Sequence, residues 1–85
     1  MILIYCSHCG DILLLVEKKR CCGCGRIWGY NSRWNMPIIS RHAMALEFDE
    51  RSFLRALSHQ SEKGIDKKFE AAVIPNDSDK IKVTA

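Results

Sequence analysis

The residues with the most chemical content are five cysteines in two clusters, Cys6-Ser7-His8-Cys9-Gly10 and Cys21-Cys22-Gly23-Cys24-Gly25. Cys6 with Cys9 and Cys21 with Cys24 form two Cys-x-x-Cys pairs separated by eleven residues, the spacing of a structural metal site. Two residues between cysteines let both sulfurs face one point while backbone amides curl towards them. Gly10 and Gly25, each directly after the second cysteine, permit the positive φ that completes such a turn. Four thiolates fill a tetrahedral shell and leave no position for water or substrate, so the expected ion is one structural zinc held by Cys6, Cys9, Cys21 and Cys24. Cys22 is the remaining thiol. It is read as a bystander, the alternative being that it replaces Cys21 as ligand with a single intervening residue. His8 is read as a side chain lying over the site, with alternative ligation as its competing role.

Other chemistry has less support. Ser40, Ser52, Ser58 and Ser61 sit in no nucleophile motif, His42 and His59 fall in no histidine–acid catalytic motif, and no glycine-rich phosphate loop occurs. A non-enzymatic protein is expected. Charge is uneven: residues 1–42 carry six Lys/Arg against two acids, whereas residues 43–85 carry seven against eight. The basic half also holds the two tryptophans, so Lys18, Lys19, Arg20, Arg26, Trp28, Tyr30, Arg33 and Trp34 are the candidate contact residues for a partner. Arg26, Trp28 and Tyr30 would share one face of a strand, able either to cover a thin sheet or to stack on bases. Lys18, Lys19 and Arg20 are read as a solvated hairpin tip, with phosphate contact as the alternative.

The elements that must position these groups follow from periodicity. Ile12 to Val16 reads as a strand with Glu17 to Arg20 at a hairpin tip, and Arg26 to Tyr30 as a further strand. The run Ile38 to Phe48, with alternation over its last seven residues through His42, Met44, Leu46 and Phe48, gives another strand signal. Asp49 is an expected N-cap, followed by an amphipathic helix of about three turns through Phe53, Ala56, Leu57 and Gln60, with Lys63 and Gly64 as its stop. Phe69, Ala71 and Val73 mark a strand ended by Pro75, and the tail from Lys80 either adds an edge strand or stays loose. The expected fold is a small metal-stabilised α+β domain spanning residues 1–85: a metal-binding ribbon over 1–35, a strand–helix–strand extension over 36–75, and a tail over 76–85. A chain this short buries only about 60 % of its unfolded surface, which is why a staple is expected.

With its paired Cys-x-x-Cys-Gly knuckles, the chain over about residues 3 to 30 resembles the zinc-ribbon family, whose knuckles sit at the ends of β-hairpins. That resemblance implies a metal-stabilised hairpin fold and says little of function, since zinc ribbons serve many. Phe48 to Leu57 and Phe69 to Pro75, read with the second knuckle, also resemble small uncharacterised zinc-ribbon proteins of bacteria and phages, which implies architecture only. The longest apolar runs, Met1 to Tyr5 and Ile12 to Val16, span five residues each. Both fall far short of the roughly 20 needed to cross a bilayer. A cytoplasmic protein without membrane contact is expected, where reduced thiols favour metal over disulfides. The functional reading is a zinc-binding interaction module for a protein partner. Nucleic-acid binding is the alternative, and rubredoxin-like electron transfer the third.

Overall fold

A computed structural model of the chain describes residues 1–60 and 64–84. Two four-stranded sheets share one core. The first is built from β1 (Ile2–Tyr5), β2 (Ile12–Leu14), β6 (Met44–Phe48) and β7 (Ala71–Ile74), in the order β2-β1-β6-β7 with antiparallel neighbours. The second is built from β3 (Arg20–Cys21), β4 (Trp28–Asn31), β5 (Pro37–Ile39) and β8 (Lys82–Val83), in the order β3-β4-β5-β8. Its β5–β8 pairing is parallel, which carries the expected tail strand onto an edge. A small α+β architecture with two sheets and one short helix results.

The hairpin expected around Glu17 to Arg20 does not form. β2 pairs back onto β1 and β3 pairs forward onto β4, so the segment between them crosses from one sheet to the other. Each Cys cluster therefore caps its own hairpin, one per sheet. The run Ile38 to Phe48 divides in two, with its alternating part falling on β6 and its first residues on β5. A turn at Arg41–His42 separates β5 from β6 and moves the chain back to the first sheet. The reason lies at Ser40, a buried residue whose Oγ accepts the Trp28 N–H at 3.0 Å while its own N–H donates to the Trp28 carbonyl at 2.9 Å.

Inward-facing residues of both sheets form the core: Ile4, Ala45 and Ile74 from the first, Ile39 from the second, joined by Leu15, Ile27 and Ile81 from the connections. Gly29 marks the closest approach. A Cβ built there would lie 2.9 Å from Leu15 Cδ2, 3.0 Å from Ile4 Cδ1 and 3.3 Å from the Ile38 carbonyl oxygen. Ile4 is fully buried and has little room to give.

The helix α1 (Glu50–Ser58) starts where Asp49 Oδ1 accepts the Arg51 and Ser52 N–H groups at 3.1 and 3.5 Å. It ends before the expected Gly64. Ser58 Oγ donates to the Arg55 carbonyl, and the His59 and Gln60 N–H groups bond three residues back, tightening and closing the last turn. Gly64 stands in a later turn with φ +66°, and the Lys63 stop lies outside the described residues. α1 buries no residue completely. It attaches through Phe53, whose ring lies 5.7 Å from Phe48 and 4.9 Å from Phe69 between centroids, a tilted aromatic cluster at the end of the first sheet. β7 begins at Ala71 and buries Ile74, not the Phe69–Ala71–Val73 parity.

Because the inter-sheet gap at Gly29 has no space for a methyl group, Gly29→Ala should lower folding stability by about 1–3 kcal/mol in denaturant unfolding. An unchanged midpoint would show that Leu15 can move aside freely.

Candidate metal centre

The two hairpin tips have closely related backbones. In the first, the Cys6 N–H donates to the Asp11 carbonyl at 2.9 Å and the Gly10 N–H to the Cys6 carbonyl at 2.8 Å. In the second, the Cys22 N–H donates to the Ile27 carbonyl at 3.1 Å and the Gly25 N–H to the Cys22 carbonyl at 3.0 Å. Cys6 and Cys22 are thus the matching first cysteines of the two knuckles, each bonding five residues ahead. Gly10 and Gly25 adopt φ +80° and +75°, the left-handed conformation that allows each turn to close.

The sulfurs of Cys6, Cys9, Cys22 and Cys24 all lie within 4.8 Å of one another. Cys24 Sγ stands 3.5 Å from Cys22 Sγ and 3.7 Å from Cys6 Sγ. A tetrahedron with metal–sulfur bonds of about 2.3 Å has edges of about 3.8 Å, so this donor set fits a four-thiolate ion closely. These four cysteines could hold a metal ion.

The ligand set expected from spacing is corrected at one position, because Cys22 joins the cluster and Cys21 does not. Cys21 belongs to β3, opposite Trp28, and is exposed. Successive residues at a strand end point to opposite sides, so one of the two adjacent cysteines must turn away from the site. The sequence favoured the two-residue spacing of Cys21 with Cys24. What marks Cys22 is a backbone span that appears only once the strands pair: its N–H bonds five residues ahead to the Ile27 carbonyl, as the Cys6 N–H bonds to that of Asp11.

The site's electrostatics are those of crowded thiols. Burial is the largest influence on Cys22 and raises its pKa. The Ile27 N–H donated to its Sγ at 3.5 Å, with hydrogen bonds from the other three thiols, outweighs this and brings it down to about 6. At Cys24 the Arg26 backbone N–H is the largest influence and lowers the pKa. Burial and the neighbouring sulfurs of Cys22, Cys6 and Cys9 outweigh it and push the thiol up to about 12. One sulfur therefore gives up its proton readily and another holds on to it, and a cation removes that conflict. Asp11, which sequence reasoning passed over, ties the two knuckles together by accepting the Gly23 N–H on Oδ2 at 2.5 Å.

The candidate contact residues divide into groups. Lys19 Nζ lies 4.3 Å from the Trp28 ring centroid, and the Trp28 and Tyr30 rings run nearly parallel at 6.2 Å. Arg20 donates to the Leu14 carbonyl at 3.2 Å, bridging the sheets, while Lys18 is exposed. Arg26 lies outside β4, in an open cleft with Cys6, His8 and His42. Arg33 and Trp34 occupy the Ser32–Met36 turn, and Trp34 is 86 % exposed. Among the described residues no helix is long and apolar enough to cross a membrane. No protein-family model, curated protein or solved structure matches this chain.

Two outcomes are expected from metal analysis of purified variants. Cys22→Ser should lose bound metal and Cys21→Ser should retain it; the reverse pattern would restore the two-residue spacing. Metal affinity should rise with pH through the neutral range, because the raised Cys24 pKa means that binding must displace its proton. A competition titration with a chromophoric chelator at several pH values measures this.

Proposed function

We propose that this chain is a non-enzymatic zinc-binding module, cytoplasmic in location, that docks a protein partner through the turn carrying Trp34. The observation that carries this reading is Trp34 itself: a tryptophan 86 % exposed on a short turn whose ends are fixed by backbone bonds between Ser32 and Met36 and between Asn35 and Ser32. A large ring held on an ordered turn loses little conformational entropy on binding, which is why exposed tryptophans make good interface anchors. Arg33 beside it offers a planar group for carboxylate or carbonyl contact.

Zinc is the ion favoured by an all-sulfur tetrahedral donor set in a reducing compartment, and the resemblance to zinc ribbons supports the same choice. With its four positions filled by Cys6, Cys9, Cys22 and Cys24, such an ion would stabilise the fold and take no part in a reaction. An iron-loaded, coloured protein would point instead to an electron carrier.

Nucleic-acid binding is a second reading, favoured by the Lys19–Trp28–Tyr30 group. It ranks lower because Lys19 already occupies a face of Trp28, where a base would stack. Four thiolates and one doubly charged ion would also take the formal net charge from +3 to +1.

Native co-purification of wild type and Trp34→Ala, with metal analysis of the same samples, tests the leading reading. A partner recovered by wild type and lost from the metal-replete variant is the expected result. Recovery of nucleic acid instead, with binding that collapses between about 50 and 200 mM salt, would favour the second reading.

A further inference from the structure

The two sheets end in four edge strands, and three of these edges are short or engaged. β3 and β8 span two residues each. On β2 the Leu14 carbonyl is taken by the Arg20 side chain at 3.2 Å. The fourth is β7, at the end of the order β2-β1-β6-β7.

Hydrogen-bond parity fixes which way the β7 backbone points. The Asp49 N–H donates to the Glu70 carbonyl at 2.9 Å, in the register that sets Phe48 beside Ala71 and Ala45 beside Ile74. Directly bonded pairs in an antiparallel ladder recur at every second residue, so Glu47–Ala72 and Ala45–Ile74 are the bonded pairs that follow. The Phe48 N–H agrees, since it donates at 3.0 Å to the Met1 carbonyl on the other side of β6. Ala72 and Ile74 therefore turn their amides and carbonyls towards β6, and Ala71 and Val73 turn theirs outward. Ala71, Ala72 and Val73 are exposed, Val73 to 67 %. Sheet edges are commonly guarded by lysine or proline. Neither stands within β7, and its alanines leave room for a neighbouring backbone.

An acidic cleft of about 500 Å³ opens beside the same strand. Its walls include Ala71, Ala72 and the carboxylates of Glu47, Asp49, Glu50 and Glu70, with no lysine or arginine. Two of the acids are engaged, Asp49 as the cap of α1 and Glu47 in its ion pair with Lys80. Glu50 and Glu70 are exposed and enter no ion pair among the described residues.

We propose that β7 accepts an added strand, an extended basic segment of another protein, whose backbone bonds to Ala71 and Val73 while its lysine or arginine side chains reach Glu50 and Glu70. Outward amides and carbonyls at alternate residues are what a new strand satisfies. Strand addition draws affinity from these main-chain bonds and selectivity from side-chain sites alongside, and here the sites are carboxylates. A second copy of the chain answers that charge poorly. Paired antiparallel about Ala72, it sets Glu70 opposite Ile74 of the other copy, and the stretch from Ala71 to Asp79 holds no lysine or arginine to meet the acids. The edge is separate from the Trp34 turn and rests on no part of that reading.

Fluorescence anisotropy of two short labelled peptides, one alternating lysine with threonine and one alternating glutamate with threonine, tests the proposal on the full metal-loaded chain. The lysine peptide should bind about tenfold more tightly than the glutamate peptide. Val73→Pro removes an outward N–H without touching the β6 ladder or any charge, and should weaken the lysine peptide about tenfold. Glu50→Gln combined with Glu70→Gln should bring the two peptides to within about twofold of each other. Trp34→Ala should change neither. Unchanged metal content and far-ultraviolet circular dichroism verify the fold of each variant, and the carboxylate variants, at exposed sites, carry the test alone should Val73→Pro not fold. Failure of both peptides to bind at about 1 mM would overturn the proposal. So would a preference that survives both glutamine substitutions, or unchanged binding by folded Val73→Pro. A wild-type dimer in sedimentation equilibrium that Val73→Pro breaks would overturn it too, by giving the edge to a second copy.

Discussion

Four sulfurs from two hairpins are brought within 4.8 Å of each other, and much of the architecture answers to that convergence. Cys6 and Cys9 sit on the β1–β2 hairpin of the first sheet, Cys22 and Cys24 on the β3–β4 hairpin of the second. The cluster is therefore a clasp between sheets. Cys6 and Cys22 are also members of the hydrophobic core, which couples the clasp to packing. Away from it the sheets are joined by their shared aliphatic core and by polar links, among them Arg20 on the Leu14 carbonyl and the exposed Lys80–Glu47 ion pair at 2.9 Å. In a chain of 85 residues the core is a small cluster, mainly of isoleucine, and the other sources of cohesion are few.

The clasp constrains what lies between the cysteines. The chain must leave the first sheet after Leu14 and enter the second by Arg20, so the intervening segment becomes a crossover. Gly29 then fits beneath Leu15 and Ile4 because it has no side chain. Ser40 takes the place of a strand residue beside Trp28 and lets the chain return to the first sheet.

Burial and exposure are distributed accordingly. Trp28 and Tyr30 cover the second sheet with Lys19 laid over them, which uses up much of the basic and aromatic chemistry apparent in the sequence. Trp34 stands exposed on its turn, and the outward side of the first sheet is exposed at Ile12, Met44 and Val73 while Leu3 at its centre is buried.

The presence of a cysteine centre was legible in the sequence because knuckle turns are local: two cysteines and a glycine within five residues specify the bend wherever it occurs. Asp49 as a cap and Pro75 as a strand end were legible for the same reason, each depending on backbone chemistry within a few residues. The choice between Cys21 and Cys22 was not, because adjacent strand residues point to opposite sides and only the pairing of Cys21 with Trp28 settles which faces the site. The hairpin partners were hidden likewise. Ile12 to Leu14 is equally strand-like whether it pairs forward or back, and its partner is decided by which apolar faces can be buried together. Sequence determined the turns, the caps and the donor chemistry, all short-range properties. Tertiary structure decided the fourth cysteine of the cluster, the crossover between sheets and the pairing of the tail with β5, since these depend on contacts between residues far apart in the chain.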